Sequence, residues 1–305
     1  MASSVEVHSL EEINYRPKIK IFLIPFLVLF VFVSGFINFY PIGDKIKTIL
    51  TTQLGKSGCN LNFDQLRIEW LLPKVIVTDV TIPATCFESQ GEAIKLNHLT
   101  LNFHLINFSP LGLPFRIDTD LAGQPISIYF VQGFGQQMIR MKDQSISLSK
   151  LEPLMGANFK FSGTLKMDLN LQLESKLIKS LDLKAASQDF QIPSQSVQGF
   201  TLPSLRINKF LLNASSEGHP RVNINQLFLG DPDSPIRANF KGRVNIQEKA
   251  IGMSALDLAG EVAFSESLIE SFPLIDMLFQ SFPSKDGFYQ IRLGGTLNSP
   301  KPSAP

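Results

Sequence analysis

Residues 164–176 read TLKMDLNLQLESK. From Leu165 to Leu173 every odd position is apolar (Leu165, Met167, Leu169, Leu171, Leu173) and every even one polar (Lys166, Asp168, Asn170, Gln172). Side chains of an extended strand point alternately to opposite faces, so this is a strand with one apolar and one wet face. The wet face explains itself. The apolar face needs a cover, and that need shapes the rest of the fold.

The alternation continues along the chain. NLNFDQLRIEW (60–70), KVIVTDVTI (74–82), AIKLNHLTLNFHLI (93–106), PISIYFV (125–131) and MIRMKDQSISL (138–148) read as strands, as do SLDLKAASQDFQI (180–192), SLRINKFLL (204–212), RVNINQLFL (221–229) and ANFKGRVNI (238–246). The apolar phase slips between Phe63 and Leu66 and again between Val77 and Val80, as a bulge makes it do. Turn residues separate the runs: Asn107, Ser109-Pro110 and Gly112, then Gln132-Gly133, Ser216-Glu217-Gly218 and Gly230-Asp231-Pro232-Asp233. Strands do not alternate with helices, which excludes a doubly wound fold and leaves an antiparallel meander or barrel.

A small repeat runs through these strands. FSGTL (161–165), FKGRV (240–244), LAGEV (258–262) and LGGTL (293–297) centre on Gly163, Gly242, Gly260 and Gly295, and LAGQP (121–125) is a frayed copy. Glycine within a strand permits a bulge or sharp coil, so these four are expected to let the sheet curl. The expected fold is mainly β: a long curved, twisted antiparallel sheet, a half-barrel or groove, with a few short helices.

Ahead of the strands lies IFLIPFLVLFVFVSGFINFYPIG (21–43), without a charge. About 20 apolar helical residues cross the hydrocarbon core, and this run exceeds the apolar part of a cleaved signal peptide. It reads as an uncleaved membrane anchor carried by Ile21, Phe26, Phe30, Phe32 and Phe36. Arg16, Lys18 and Lys20 precede it, and Lys45, Lys47 and Lys56 follow. The nearer basic residues lie on the N-terminal side, which places residues 1–20 in the cytoplasm and 44–305 across the membrane. Cys59 and Cys86 are either a disulfide or two buried thiols. Residues 44–54 form a short amphipathic helix between Asp44 and Gly55. A late stripe, Leu268, Phe272, Ile275, Phe279 and Phe282, predicts a second helix that caps the sheet, with Pro273 either inside it or opening its first turn.

Composition narrows the function. The net charge is +1 and only 18% of residues are charged, so nothing attracts nucleic acid. Hydrophobic residues make up 44%, with 25 phenylalanines and one tryptophan, a balance suited to sealed interiors and lipid. His98 and His104 share a strand face about 20 Å apart, too far for one metal ion. No zinc, hydrolase-elbow or phosphate-loop motif occurs. Arg116, Asp118 and Asp120 share one face of FRIDTDL, where solvated carboxylates are the usual case. No catalysis, metal or cofactor is expected.

The order of anchor, TTQLGKSGCNLNFDQLRIEW, LLPKVIVTDVTI (71–82), strand-rich body, FPLIDMLFQSF and DGFYQIRLGGTLNSPKP resembles the type II secretion system protein N family, a general secretion pathway component related to AsmA-like membrane proteins. The likeness covers roughly residues 40–300 and is sharpest at LLPKVIVTDVTI and FYQIRLGGTLNSP (288–300). It implies a single-pass protein of the bacterial inner membrane with its bulk in the periplasm, and a non-enzymatic place in protein secretion beside other secretion subunits. AsmA-like relatives imply the alternative, a lipid-binding or lipid-transfer groove with phospholipid as candidate ligand. The long N-terminal tail and the two cysteines depart from the family pattern.

Overall fold

A computed structural model describes residues 61–305 apart from 70–73, 84–92, 105–106, 109–110, 122, 151–159, 176, 198–199 and 248–249. Before residue 61 it describes only Thr48 and Thr52, both helical and exposed. Contacts divide the chain into Met1–Leu50 and Thr51–Pro305. Every described strand belongs to the second unit. The expected anchor residues Ile21, Phe26, Phe30, Phe32 and Phe36, and the pair Cys59 and Cys86, lie outside the described residues. No helix among the described residues is long and apolar enough to cross a membrane.

The strands are β1 (Leu66–Glu69), β2 (Lys74–Ile82), β3 (Ile94–Phe103), β4 (Asn107–Phe108), β5 (Leu111–Leu121), β6 (Gln124–Gly133), β7 (Gln136–Ser147), β8 (Thr164–Glu174), β9 (Leu177–Ile192), β10 (Gln195–Val197), β11 (Phe200–Leu202), β12 (Leu205–Ser216), β13 (Arg221–Leu229), β14 (Ile236–Asn245), β15 (Ala255–Phe264), β16 (Ser284–Lys285), β17 (Phe288–Thr296) and β18 (Ser299–Ser303). All but β10 and β11 form one 16-stranded antiparallel sheet in the order β1-β2-β3-β5-β6-β7-β8-β9-β12-β13-β14-β15-β17-β16. The short β4 lies on β5, and β18 lies on β17. Chain order and sheet order nearly coincide because hairpins pair neighbours at low loop-closure cost. The sheet is not closed. Its β18 edge carries Pro300 and Pro302, which lack the N–H groups another strand would need.

Three strands change apolar phase at an Asp or Asn with left-handed backbone. Asp79 (φ 51) separates Val77 from Val80, Asp143 (φ 50) separates Met141 from Ile146, and Asn208 (φ 60) separates Ile207 from Phe210. Asx side chains tolerate this conformation better than other non-glycine residues. Two are held by side chains: the Asp143 N–H donates to Asp168 Oδ1 at 2.7 Å, and Asn208 Nδ2 donates to Asp231 Oδ2 at 2.9 Å.

The glycine repeat divides in the structure. Gly242 and Gly260 sit inside β14 and β15, whereas Gly163 precedes β8 and Gly295 lies just before the β17–β18 turn. Gly260 faces Phe240 across the pair, and a Cβ there would strike the Phe240 ring. Its missing side chain lets that ring lie on the sheet.

Three apolar clusters stabilise the sheet. Val77, Val80, Ile94, Leu96, Leu121 and Ile126 centre the first, joined by Phe63 from the segment before β1. Phe190, Leu205, Ile207 and Leu165 centre the second, and Phe240, Leu258, Val262 and Ile291 the third. The late segment forms two helices, α1 (Glu266–Ser271) and α2 (Leu274–Phe279), in place of one continuous stripe. The residue before a proline is driven out of the helical region, and Phe272 has φ −143 and ψ 72, so Pro273 opens a second helix. Ser265 caps α1 by accepting from the Leu268 N–H at 3.3 Å. Leu268 and Ile275 pack on the second cluster. Phe279 meets Phe264 at 4.9 Å and Tyr289 at 5.7 Å between ring centres.

Candidate functional site

Register decides which side chains share a face, and over most of the sheet it sorts apolar from polar; the buried Pro114, Val131 and Met138, paired with one another on the polar side, are an exception. One rung across the sheet runs Met141, Leu169, Leu183, Ala214, Ile224, Gly242, Leu258 and Leu293, from β7 to β17. All are apolar or glycine. An adjacent rung runs Arg140, Asn170, Asp182, Ser215, Asn223, Arg243 and Asp257. All are polar, and they point to the other side because successive residues alternate. A third rung, Phe103, Phe115, Phe130, Ile139, Leu171 and Leu181, extends the apolar face from β3 to β9. Its phenylalanine rings stand 6.0 Å and 4.7 Å apart in succession.

The cover over this face is graded along the strands. On β8, Leu165 is buried at 9% exposure, while Met167, Leu169, Leu171 and Leu173 are only half-buried. On β5, exposure falls from 62% at Leu113 through half-buried Phe115 and Ile117 to 7% at Leu121. On β3, Ile94 and Leu96 are buried and Phe103 is exposed. The sequence predicts the apolar side of Leu165, Met167, Leu169, Leu171 and Leu173, and the structure brings those five together with Ile139, Leu181 and Leu183. It also shows that four of the five are incompletely covered, which alternation alone does not reveal.

The polar face is tied by charged and amide side chains, though Asn170 Oδ1 and Asn239 Oδ1 are buried on it without a hydrogen-bond partner. Asp118 accepts from Arg116 Nε at 2.7 Å, Ser127 Oγ at 2.7 Å and Asn102 Nδ2 at 2.8 Å, tying β3, β5 and β6 together. Burial raises its pKa, but the hydrogen bonds from Ser127, Arg116 and Asn102 and the Arg116 charge outweigh that, leaving the carboxyl below its usual range. Asp120 accepts from the Gly123 N–H. Asp257 is gripped by Arg292 at 2.8 Å and Arg243 at 3.0 Å, beside an open depression of about 460 Å³. The Arg292 hydrogen bond is the main cause of its lowered pKa. His98 and His104 are exposed on β3 and in the residue after it. Among the described residues no three His, Cys, Asp or Glu side chains gather to hold a metal.

These features define an antiparallel single-sheet protein with one wet face and one partly covered apolar face. Comparison with protein families, characterised proteins and solved structures finds no match for the chain.

Proposed function

We propose that the chain is a non-enzymatic, membrane-anchored protein of the bacterial cell envelope that binds lipid acyl chains on the apolar face of its sheet. The observation that carries this is the graded cover of that face: a continuous apolar surface from β3 to β17, half-open at Leu169, Leu171, Leu181 and Leu183. Monomeric proteins seldom leave contiguous apolar patches beyond a few hundred Å² without a partner. In this proposal the sheet coils about that face into a trough. Bulges bend strands and raise their twist, and the register shifts at Leu96/Leu99, Met141/Gln144 and Asn213/Ala214 support such coiling, as do Gly242 and Gly260.

The remaining parts of the proposal rest on sequence. Residues 1–20 are a cytoplasmic tail, 21–43 the inner-membrane span and 44–305 the periplasmic domain. A place in type II secretion, in contact with other secretion subunits, is carried by the resemblance at 71–82 and 288–300, stretches that include β2 and β17. A lipid-holding sheet is compatible with that place. The decisive experiment purifies residues 51–305 without detergent and weighs the protein by native mass spectrometry. Co-bound phospholipid, lost in a Leu171→Asp variant, is the expected result. A lipid-free spectrum from folded protein contradicts the lipid reading.

A further inference from the structure

We propose that the strand ends around Phe134 form a tip that inserts into a bilayer, where the apolar face opens to the membrane. This rests on the lipid reading of the face and adds the place where the protein meets the lipid surface.

The described large apolar side chains that stay exposed are not scattered. Phe103, Leu111, Leu113, Phe134, Leu177, Met253 and Leu297 all lie at the same ends of their strands, whereas Met277 and Leu278 lie on α2. Four belong to neighbouring strands: Phe103 at 43% exposure, Leu111 at 55%, Leu113 at 62% and Phe134 at 93%. Gly112 and Gly133 oppose one another, which brings Leu111 and Leu113 beside the turn that carries Phe134. Leu177 on β9 lies as many strands from the Phe134 turn as Phe103 does and extends the row, whereas Met253 and Leu297 lie beside β15 and β17, far along the sheet, and are not part of the tip.

Turns normally carry polar residues, and this end departs from that rule. Phe134 itself sits in the turn between β6 and β7, and Leu111 and Leu113 open β5 beside it. No charged residue occurs from Leu105 to Phe115 or from Leu121 to Ile139. Binding at this tip is therefore apolar insertion, without a call on anionic headgroups. The tether makes a bilayer the occupant. Between Gly43, where the expected anchor ends, and Leu66, where β1 begins, an extended chain spans at most about 83 Å. That reach holds the tip near a membrane at high effective concentration.

The test uses the full chain in phosphatidylcholine vesicles with brominated acyl chains. Trp70→Phe removes the native fluorophore, and Phe134→Trp or Ala93→Trp supplies a single new one. Ala93 is exposed and lies at the opposite end of β3, about 30 Å from Phe103 along the strand. Phe134→Trp is expected to lose at least half of its emission to bromine quenching, and Ala93→Trp less than a tenth. No quenching at position 134, or equal quenching at both positions, overturns the proposal. Should Trp70→Phe not fold, a benzophenone amino acid at 134 or 93 in the otherwise unaltered chain gives the same contrast through lipid adducts. Alkaline extraction of membranes tests the anchor separately, and the lipid content of residues 51–305 tests the binding face separately.

Discussion

Leu169 and Leu183 face each other across β8 and β9, and one residue earlier and later Asp168 faces Lys184 on the opposite side of the same pair. That single exchange of faces repeats from β7 to β17. It makes the sheet a two-sided object, with most of the buried apolar side chains on one side.

Stability should therefore be graded along β8. Leu165 is buried among Phe190, Leu205 and Ile207, while Leu171 is half-covered. Leu165→Ala is expected to cost about 2–4 kcal/mol, and Leu171→Ala roughly half that or less. Urea unfolding of residues 51–305 measures both. Equal costs would mean that the face is covered evenly.

The two strand glycines are held by contact. A Cβ on Gly242 would strike the Asp257 carbonyl oxygen, and Gly242 also has φ +150. A Cβ on Gly260 would strike the Asn239 carbonyl oxygen and the Phe240 ring. Gly242→Ala and Gly260→Ala should each destabilise by about 1–3 kcal/mol, the range for overpacking in a close-packed interior. Gly123→Ala is a contrast, since a Cβ there meets no atom within 4 Å and its cost is confined to the backbone at φ +87. Thermal denaturation separates the cases.

Asp118 gives the sheet an acid-sensitive seam. Its folded pKa lies below the ordinary 3.8, so between the two values the unfolded chain binds more protons than the folded one. The stabilisation is fully present above pH 3.8 and is lost as pH falls through the folded value. Asp118→Asn should remove that part of the acid dependence, flattening the curve of urea midpoint against pH below about 4. An unchanged acid slope would assign the effect to other carboxylates, such as Asp189, lowered chiefly by the Thr164 N–H.

The helical cap should be separable from the sheet. Leu268→Ala, at 3% exposure, is expected to cost about 2–4 kcal/mol. Phe279→Ala forfeits ring contacts with Phe264, Phe282 and Tyr289, and should release the 265–283 segment to protease before the sheet unfolds. Limited proteolysis with mass mapping reads the order of cleavage.

Much of this architecture is visible in the residues. Alternation at 165–173 fixes a one-sided strand, and turn chemistry at 216–218 and 230–233 falls between paired strands. Three things are only partly visible. The slip between Val77 and Val80 shows in the sequence, but Asp79, Asp143 and Asn208, whose left-handed backbone makes such changes, look like any polar position until φ is known. Pro273 splits the late helix, the second of the two readings the sequence leaves open, because its neighbour Phe272 cannot stay helical while the spacing of apolar residues runs on unbroken. Strand β5 starts among residues that resemble a turn, Ser109-Pro110 and Gly112, and the exposed Leu111, Leu113 and Phe134 go unnoticed there. Alternation tells which side a residue faces. How much of that side is covered depends on the segments lying over it, and those come from distant parts of the chain.

The most direct measurement places a photo-reactive benzophenone amino acid at Leu171 or at its neighbour Asn170 in the full chain and irradiates native membranes. Lipid adducts at position 171 and none at 170 are predicted, because the two side chains point to opposite sides of β8. Adducts at 170 alone, or at neither position in folded protein, would contradict lipid binding on the apolar face.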